Sequence, residues 1–141
     1  MLSGVPSTTW ALARGQDPLA ATRAAGRLLS PSATTPVPLW SAATLTHATL
    51  SLVWTAVLSR LPGGPARAAG YGVAIAAFDL GAAHALRGPR FAPTADLPVL
   101  PQLADHVAFA VVARVALRAP VPGPAISARA RARPYAPRAA R

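Results

Sequence analysis

Residues 39–59 read LWSAATLTHATLSLVWTAVLS, 21 residues without a formal charge, ended by Arg60. As a helix this stretch would extend roughly 30 Å, about one hydrocarbon thickness of a bilayer. Its seven Ser and Thr residues make it only moderately apolar. In a helix their hydroxyls can bond back to the preceding turn or across to a neighbour. The fold depends on this segment being a spanning helix, and the rest of the chain is read outward from it.

Toward the C-terminus, residues 60–68 (RLPGGPARA) form a turn, because Pro and Gly interrupt any periodic pattern. Residues 69–86 (AGYGVAIAAFDLGAAHAL) are a second apolar segment, short and rich in small residues. Gly72/Ala76 and Ala77/Gly81 are spaced to let another helix approach closely. Residues 87–98 (RGPRFAPTADLP) form a loop, and 99–117 (VLPQLADHVAFAVVARVAL) a third apolar segment. Pro101 suits a first helical turn. Arg114 near the end of that segment is placed to snorkel to an interface. Three such segments predict an all-α fold, a small transmembrane helical bundle of about three spans.

Toward the N-terminus, residues 31–38 (PSATTPVP) read as a Pro-rich linker. Asp17–Pro18 offers an N-cap followed by Pro at the first helical position, opening a helix over 18–29 (PLAATRAAGRLL). Arg23 and Arg27 share one of its faces, and Ala20, Ala24 and Leu28 another. Such a helix suits either the membrane interface or a solvated surface. Residues 1–13 (MLSGVPSTTWALA) are apolar but too short to span, and lack the basic start of a signal peptide. They read as an interfacial segment or as the second half of a truncated helix. Residues 119–141 (APVPGPAISARARARPYAPRAAR) show no apolar periodicity and read as a disordered basic tail. The expected division is a helical membrane domain over 1–118 and a tail over 119–141.

Composition agrees. Hydrophobic residues make up 52% of the 141 and charged residues 13%, against roughly 25% charged in average soluble domains. All 14 basic residues are Arg and all 4 acidic residues are Asp, a pattern read as GC-rich codon usage. The absence of Cys excludes disulfides, thiol nucleophiles and Cys-based metal sites. A net charge of +10 would serve a nucleic-acid binder as a phosphate-neutralising patch. It would serve a membrane protein as loop charge facing anionic lipid headgroups. The apolar content favours the lipid bilayer as partner and makes nucleic acid the weaker reading.

With three spans, Arg23, Arg27, Arg87 and Arg90 fall on one side. Arg60, Arg67, Arg118, Arg129, Arg131 and Arg133 fall on the other. The positive-inside rule then places a multi-pass protein in the cell membrane with its C-terminal tail in the cytoplasm.

Ionisable residues within the spans are costly in hydrocarbon and usually face the bundle interior. His47 lies eight residues into the first span, roughly 12 Å deep. Asp79 lies seven before the end of the second, roughly 10 Å deep from the same side. Asp105 and His106 lie six and seven into the third, roughly 9–10 Å deep. These four predict one polar layer, with His84 nearer the surface. Asp105 and His106 are neighbours about 100° apart on a helix, so one of them can turn away from the others. The layer can act as polar glue that fixes helix register. Alternatively, His47, Asp79, Asp105 and His106 offer a nitrogen and oxygen ligand set for Zn²⁺, Mn²⁺ or Fe²⁺, or a proton relay.

No HExxH, EF-hand or P-loop motif occurs. Ser51 sits one turn after His47 without an oxyanion hole, so a hydroxyl that supports the helix is the better reading. Trp40 near a span end suits an interfacial anchor. Trp54, deeper in the span, suits packing. The Arg repeat at 129–133 suits anionic headgroups or solvent.

The segments SGVPSTTWALARGQDPLAATRAAGRLL, LTHATLSLVW, AIAAFDLG and PQLADHVAF resemble uncharacterised small multi-pass membrane proteins of high-GC actinobacteria. The resemblance covers residues 3–118 and leaves out the Arg-rich tail. It implies a membrane topology with a complete first span, from which this chain departs by starting late. It implies no activity. The expected function is a non-enzymatic structural or accessory membrane role, with a small transporter or a metal- or proton-binding protein as the alternative.

Overall fold

The structure, a computed structural model, describes residues 4–119. Six helices occur among them: α1 (Val5–Ala13), α2 (Ala20–Leu29), α3 (Pro36–Arg60), α4 (Pro65–Leu86), α5 (Ala92–Ala95) and α6 (Val99–Arg118). The disordered-tail reading for 119–141 lies outside the described residues, apart from Ala119.

Three helices, α3, α4 and α6, are long and apolar enough to cross a membrane. They match the three expected segments, with earlier starts for two. Helix α3 begins at Pro36, inside the expected linker, and α4 at Pro65, inside the expected turn. The reason is common to both. Proline lacks only an N–H that the first turn leaves unbonded anyway, and its fixed φ suits a helix start. Helix α2 begins two residues later than expected. The Asp17 carboxylate accepts a hydrogen bond from the Leu19 N–H at 2.9 Å, which holds a turn ahead of the helix. Helix α5 forms a single turn within the expected 87–98 loop.

Helix α4 packs most extensively on α6, and α2 on α3. Helix α1 lies against α6, while α3 and α4, though joined by a short turn, touch each other little. Both main contacts depend on glycine. A Cβ on Gly72 would stand 2.6 Å from the Val107 Cα and 2.7 Å from the His106 carbonyl oxygen, so the α4 and α6 backbones are in direct contact there. A Cβ on Gly26 of α2 would stand 2.5 Å from the Leu39 carbonyl oxygen of α3. Of the two small-residue pairs in α4, Gly72/Ala76 is buried against α6, while Ala77 and Gly81 face outward.

The core sits toward the α3–α4 turn. Leu58, Ile75 and Ala110 form its centre, flanked by Trp54, Leu61, Tyr71, Phe109 and Ala113. Elsewhere the long helices present large apolar side chains outward, among them Leu45, Leu52, Val53, Val73, Phe78 and Val115. Only 17–28% of each apolar window is buried within the protein. Soluble monomers rarely leave so much contiguous apolar surface uncovered.

Candidate functional site: an Asp–His–Trp junction between three helices

Asp79 lies on α4, seven residues before its end, and His106 lies on α6, seven residues after its start. Helix rise puts both roughly 10 Å from the same end of the bundle. The structure brings the His106 Nε2 to 3.3 Å from the Asp79 Oδ2. Both side chains are about four-fifths shielded, at 21% and 23% exposure. The Gly72 contact explains why they can meet. It holds the two backbones together beside His106 on α6 and two turns before Asp79 on α4.

The same Asp79 Oδ2 accepts a hydrogen bond from the Trp54 Nε1 at 3.1 Å. Trp54 comes from α3, and its ring meets Phe78 edge to face at 5.8 Å. One carboxylate oxygen therefore ties α3, α4 and α6 together. Sequence reasoning gave Trp54 to packing and missed its role as a donor. Counted by helix rise, it lies roughly 12 Å deeper than Asp79. The available signal was its chemistry, since an indole N–H in hydrocarbon needs an acceptor.

The proton count of the junction follows from its partners. The His106 Nδ1 lies 2.7 Å from the Gln102 carbonyl oxygen, one turn earlier in α6. A carbonyl only accepts, so Nδ1 carries hydrogen. Neutral imidazole then leaves Nε2 as an acceptor facing a carboxylate that also only accepts. The Nε2–Oδ2 contact is a hydrogen bond only if one further proton lies between them. The pair is either imidazolium with carboxylate or imidazole with carboxylic acid.

The other two residues of the expected layer lie apart from this junction. Asp105 points toward α1, where its Oδ1 accepts the Ser7 N–H at 3.0 Å. Ser7 is in the first turn of α1, so the carboxylate satisfies a free N–H and faces the positive end of the helix dipole. His47 is exposed on α3, within electrostatic range of Asp105 but not bonded to it. The single layer therefore divides because Asp105 and His106 diverge on α6. Among the described residues, no three His, Cys, Asp or Glu side chains come together to hold a metal ion. His84 is also exposed, with its Nδ1 at 2.8 Å from the Leu80 carbonyl oxygen of its own helix.

A half-open cavity of about 290 Å³ lies beside this region, where α1, α2 and the start of α6 meet. Trp10, Gln16, Asp17, Asp96 and Gln102 are among its lining residues. Gln102 also supplies the carbonyl that holds His106. Asp17 is paired with Arg23, and Asp96 stands 3.6 Å from Arg87.

At the opposite end of the bundle, Arg114 corrects a second expectation. It is buried, and its Nη2 donates to the carbonyls of Leu58 and Leu61, each at 2.7 Å. The guanidinium caps the C-terminus of α3 instead of reaching outward to headgroups. The last carbonyls of a helix lack partners within it and carry negative partial charge, which suits a cation there.

No family model matches the chain, and neither a curated protein nor a solved structure is detectably similar to it.

Proposed function

We propose that this chain is a multi-pass membrane protein with a structural or accessory role, fastened internally by the Asp79 junction. The observation that carries the reading is the distribution of polarity. Large apolar side chains face outward on α3, α4 and α6. At mid-depth, Trp54, Asp79 and His106 join those helices to one another. That arrangement suits hydrocarbon outside and polar contacts inside. The tail would lie on the cytoplasmic side, following the arginines near the α3–α4 turn and the end of α6.

Extraction of membranes with alkaline carbonate tests this reading. The full chain should remain with the pellet and be released only by detergent. Recovery in the aqueous fraction would overturn the proposal. Protease added to right-side-out cells should leave the tail intact.

The close approach of two ionisable groups favours a second reading, in which the Asp79–His106 pair handles protons during transport. Two ionisable groups holding one proton at mid-depth are the minimum for a relay. This reading needs a protein whose flux depends on Asp79, a dependence that fastening alone does not produce.

A further inference from the structure

The α3–α4 turn gathers positive charge without a counter-charge among the described residues. Arg118 donates from its Nη2 to the Gly63 carbonyl at 2.7 Å. Its Nη1 comes within 3.6 Å of where a Gly64 Cβ would lie, beside the start of α4. The stem of Arg67 lies over Gly63, whose φ of 106° is open to glycine and strained for other residues. Arg114 is buried just behind, with no partner for its Nε. Arg60 closes the end of α3 and donates to the Ala56 carbonyl at 2.8 Å. The salt bridges among the described residues involve Arg23, Arg87 and His106, none of them at this end. All four Asp residues of the chain lie elsewhere. The N–H groups of Ala66 and Arg67, in the first turn of α4, have no carbonyl of their own helix to meet.

We propose that this turn is a binding site for the phosphate of an anionic lipid headgroup, held by Arg67 and Arg118 with Arg114 behind them. The inference rests on the membrane reading above. Three features carry it. Arg67 and Arg118 are both exposed and converge on one loop, so their free N–H groups can face a single anion. The carbonyls of Leu58, Leu61, Pro62 and Gly63 already accept from Arg114, Tyr71 and Arg118. The loop is thus fixed before any ligand arrives. Finally, long apolar helices meet at this turn, which sets it at the level where headgroup phosphates lie. The site selects phosphate with net negative charge over a zwitterionic headgroup, because no carboxylate among the described residues lies at this end to receive an ammonium.

The test reconstitutes the full chain into nanodiscs of phosphatidylcholine with a minor share of phosphatidylglycerol, followed by gentle extraction and native mass spectrometry. The wild type should retain phosphatidylglycerol over phosphatidylcholine by roughly tenfold, in line with the attraction of two arginines to an anionic surface. Arg67→Gln with Arg118→Gln should abolish that preference. Arg129→Gln, Arg131→Gln and Arg133→Gln together should leave it intact. Equal retention of both lipids by the wild type overturns the proposal, as does loss of the preference in the tail variant alone. Displacement of the lipid by millimolar inorganic phosphate would overturn the lipid as the source of the anion. Incorporation into phosphatidylcholine discs without a lipid preference rejects this site and leaves the membrane reading standing. Failure to enter either disc rejects both.

Discussion

The Trp54 indole and the Asp79 carboxylate join α3 to α4 through a 3.1 Å hydrogen bond, although the two helices share little other contact. The oxygen that receives it is also the one facing His106. Trp54→Phe keeps the ring against Phe78 and removes only the donor. It should lower stability by about 0.5–2 kcal/mol, the range for polar contacts between membrane helices. Unfolding in mixed micelles, followed by helix content, would measure it. No change would mean that the indole N–H is satisfied elsewhere.

Asp79 separates the two functional readings. Asp79→Asn keeps an acceptor for Trp54 and a polar group for His106, and should cost no more than about 1 kcal/mol. Asp79→Leu strands both partners and should cost about 2 kcal/mol or more. If the junction only fastens helices, Asp79→Asn proteoliposomes behave as the wild type in a pH-dye flux assay. Loss of flux with an intact fold supports the relay.

Removing the α3 cap should be more damaging than losing a surface arginine. Arg114→Met preserves bulk but leaves the Leu58 and Leu61 carbonyls without their donor. Charge-assisted hydrogen bonds are each worth about 1.5–3 kcal/mol, so losing the two should cost about 3–6 kcal/mol. Hydrogen exchange should locate the effect in the last turn of α3.

The glycines of α4 should divide by face. Gly72→Ala forces a methyl group against the α6 backbone and should destabilise by about 1–3 kcal/mol. It should also disturb the Asp79–His106 contact, visible in the histidine ring resonances. Gly70 and Gly81 have nothing within 4 Å of an added Cβ. Alanine at either should be neutral or stabilising by up to about 1 kcal/mol, since glycine weakens a helix interior.

Asp105 should govern the docking of α1. Asp105→Ala removes the acceptor of the Ser7 N–H and the charge at that helix terminus, together worth about 0.5–2 kcal/mol. Faster amide exchange across Val5–Ala13, with α4 and α6 unchanged, is the expected result. Asp105→Asn should retain part of the protection.

The three long helices were readable because uncharged runs of membrane length have few alternative interpretations. Their starts were less so, since Pro36 and Pro65 resemble linker residues until the first helical turn is considered. Depth alone brought Asp79 and His106 to one level, because the residue counts run from the matching ends of antiparallel helices. It placed His47 at that level too, but rise does not state which way a side chain points, and His47 is exposed. Trp54 escaped because counting residues treats helices as parallel and ignores the reach of an indole. Arg114 was read as outward-facing because the sequence does not show which helix end lies beside it.

The cap from Arg114 has a consequence for how the protein is made. Synthesis runs from α3 to α6, so the first two long helices emerge before the segment that joins them. Until α6 arrives, the end of α3 lacks its guanidinium, Gly72 faces no neighbouring backbone and Asp79 has no histidine. Helices α3 and α4 touch little and would wait as separate cylinders. Of the described helices, α6 is made last and completes the assembly, and a chain released before α6 would hold its parts without the piece that locks them.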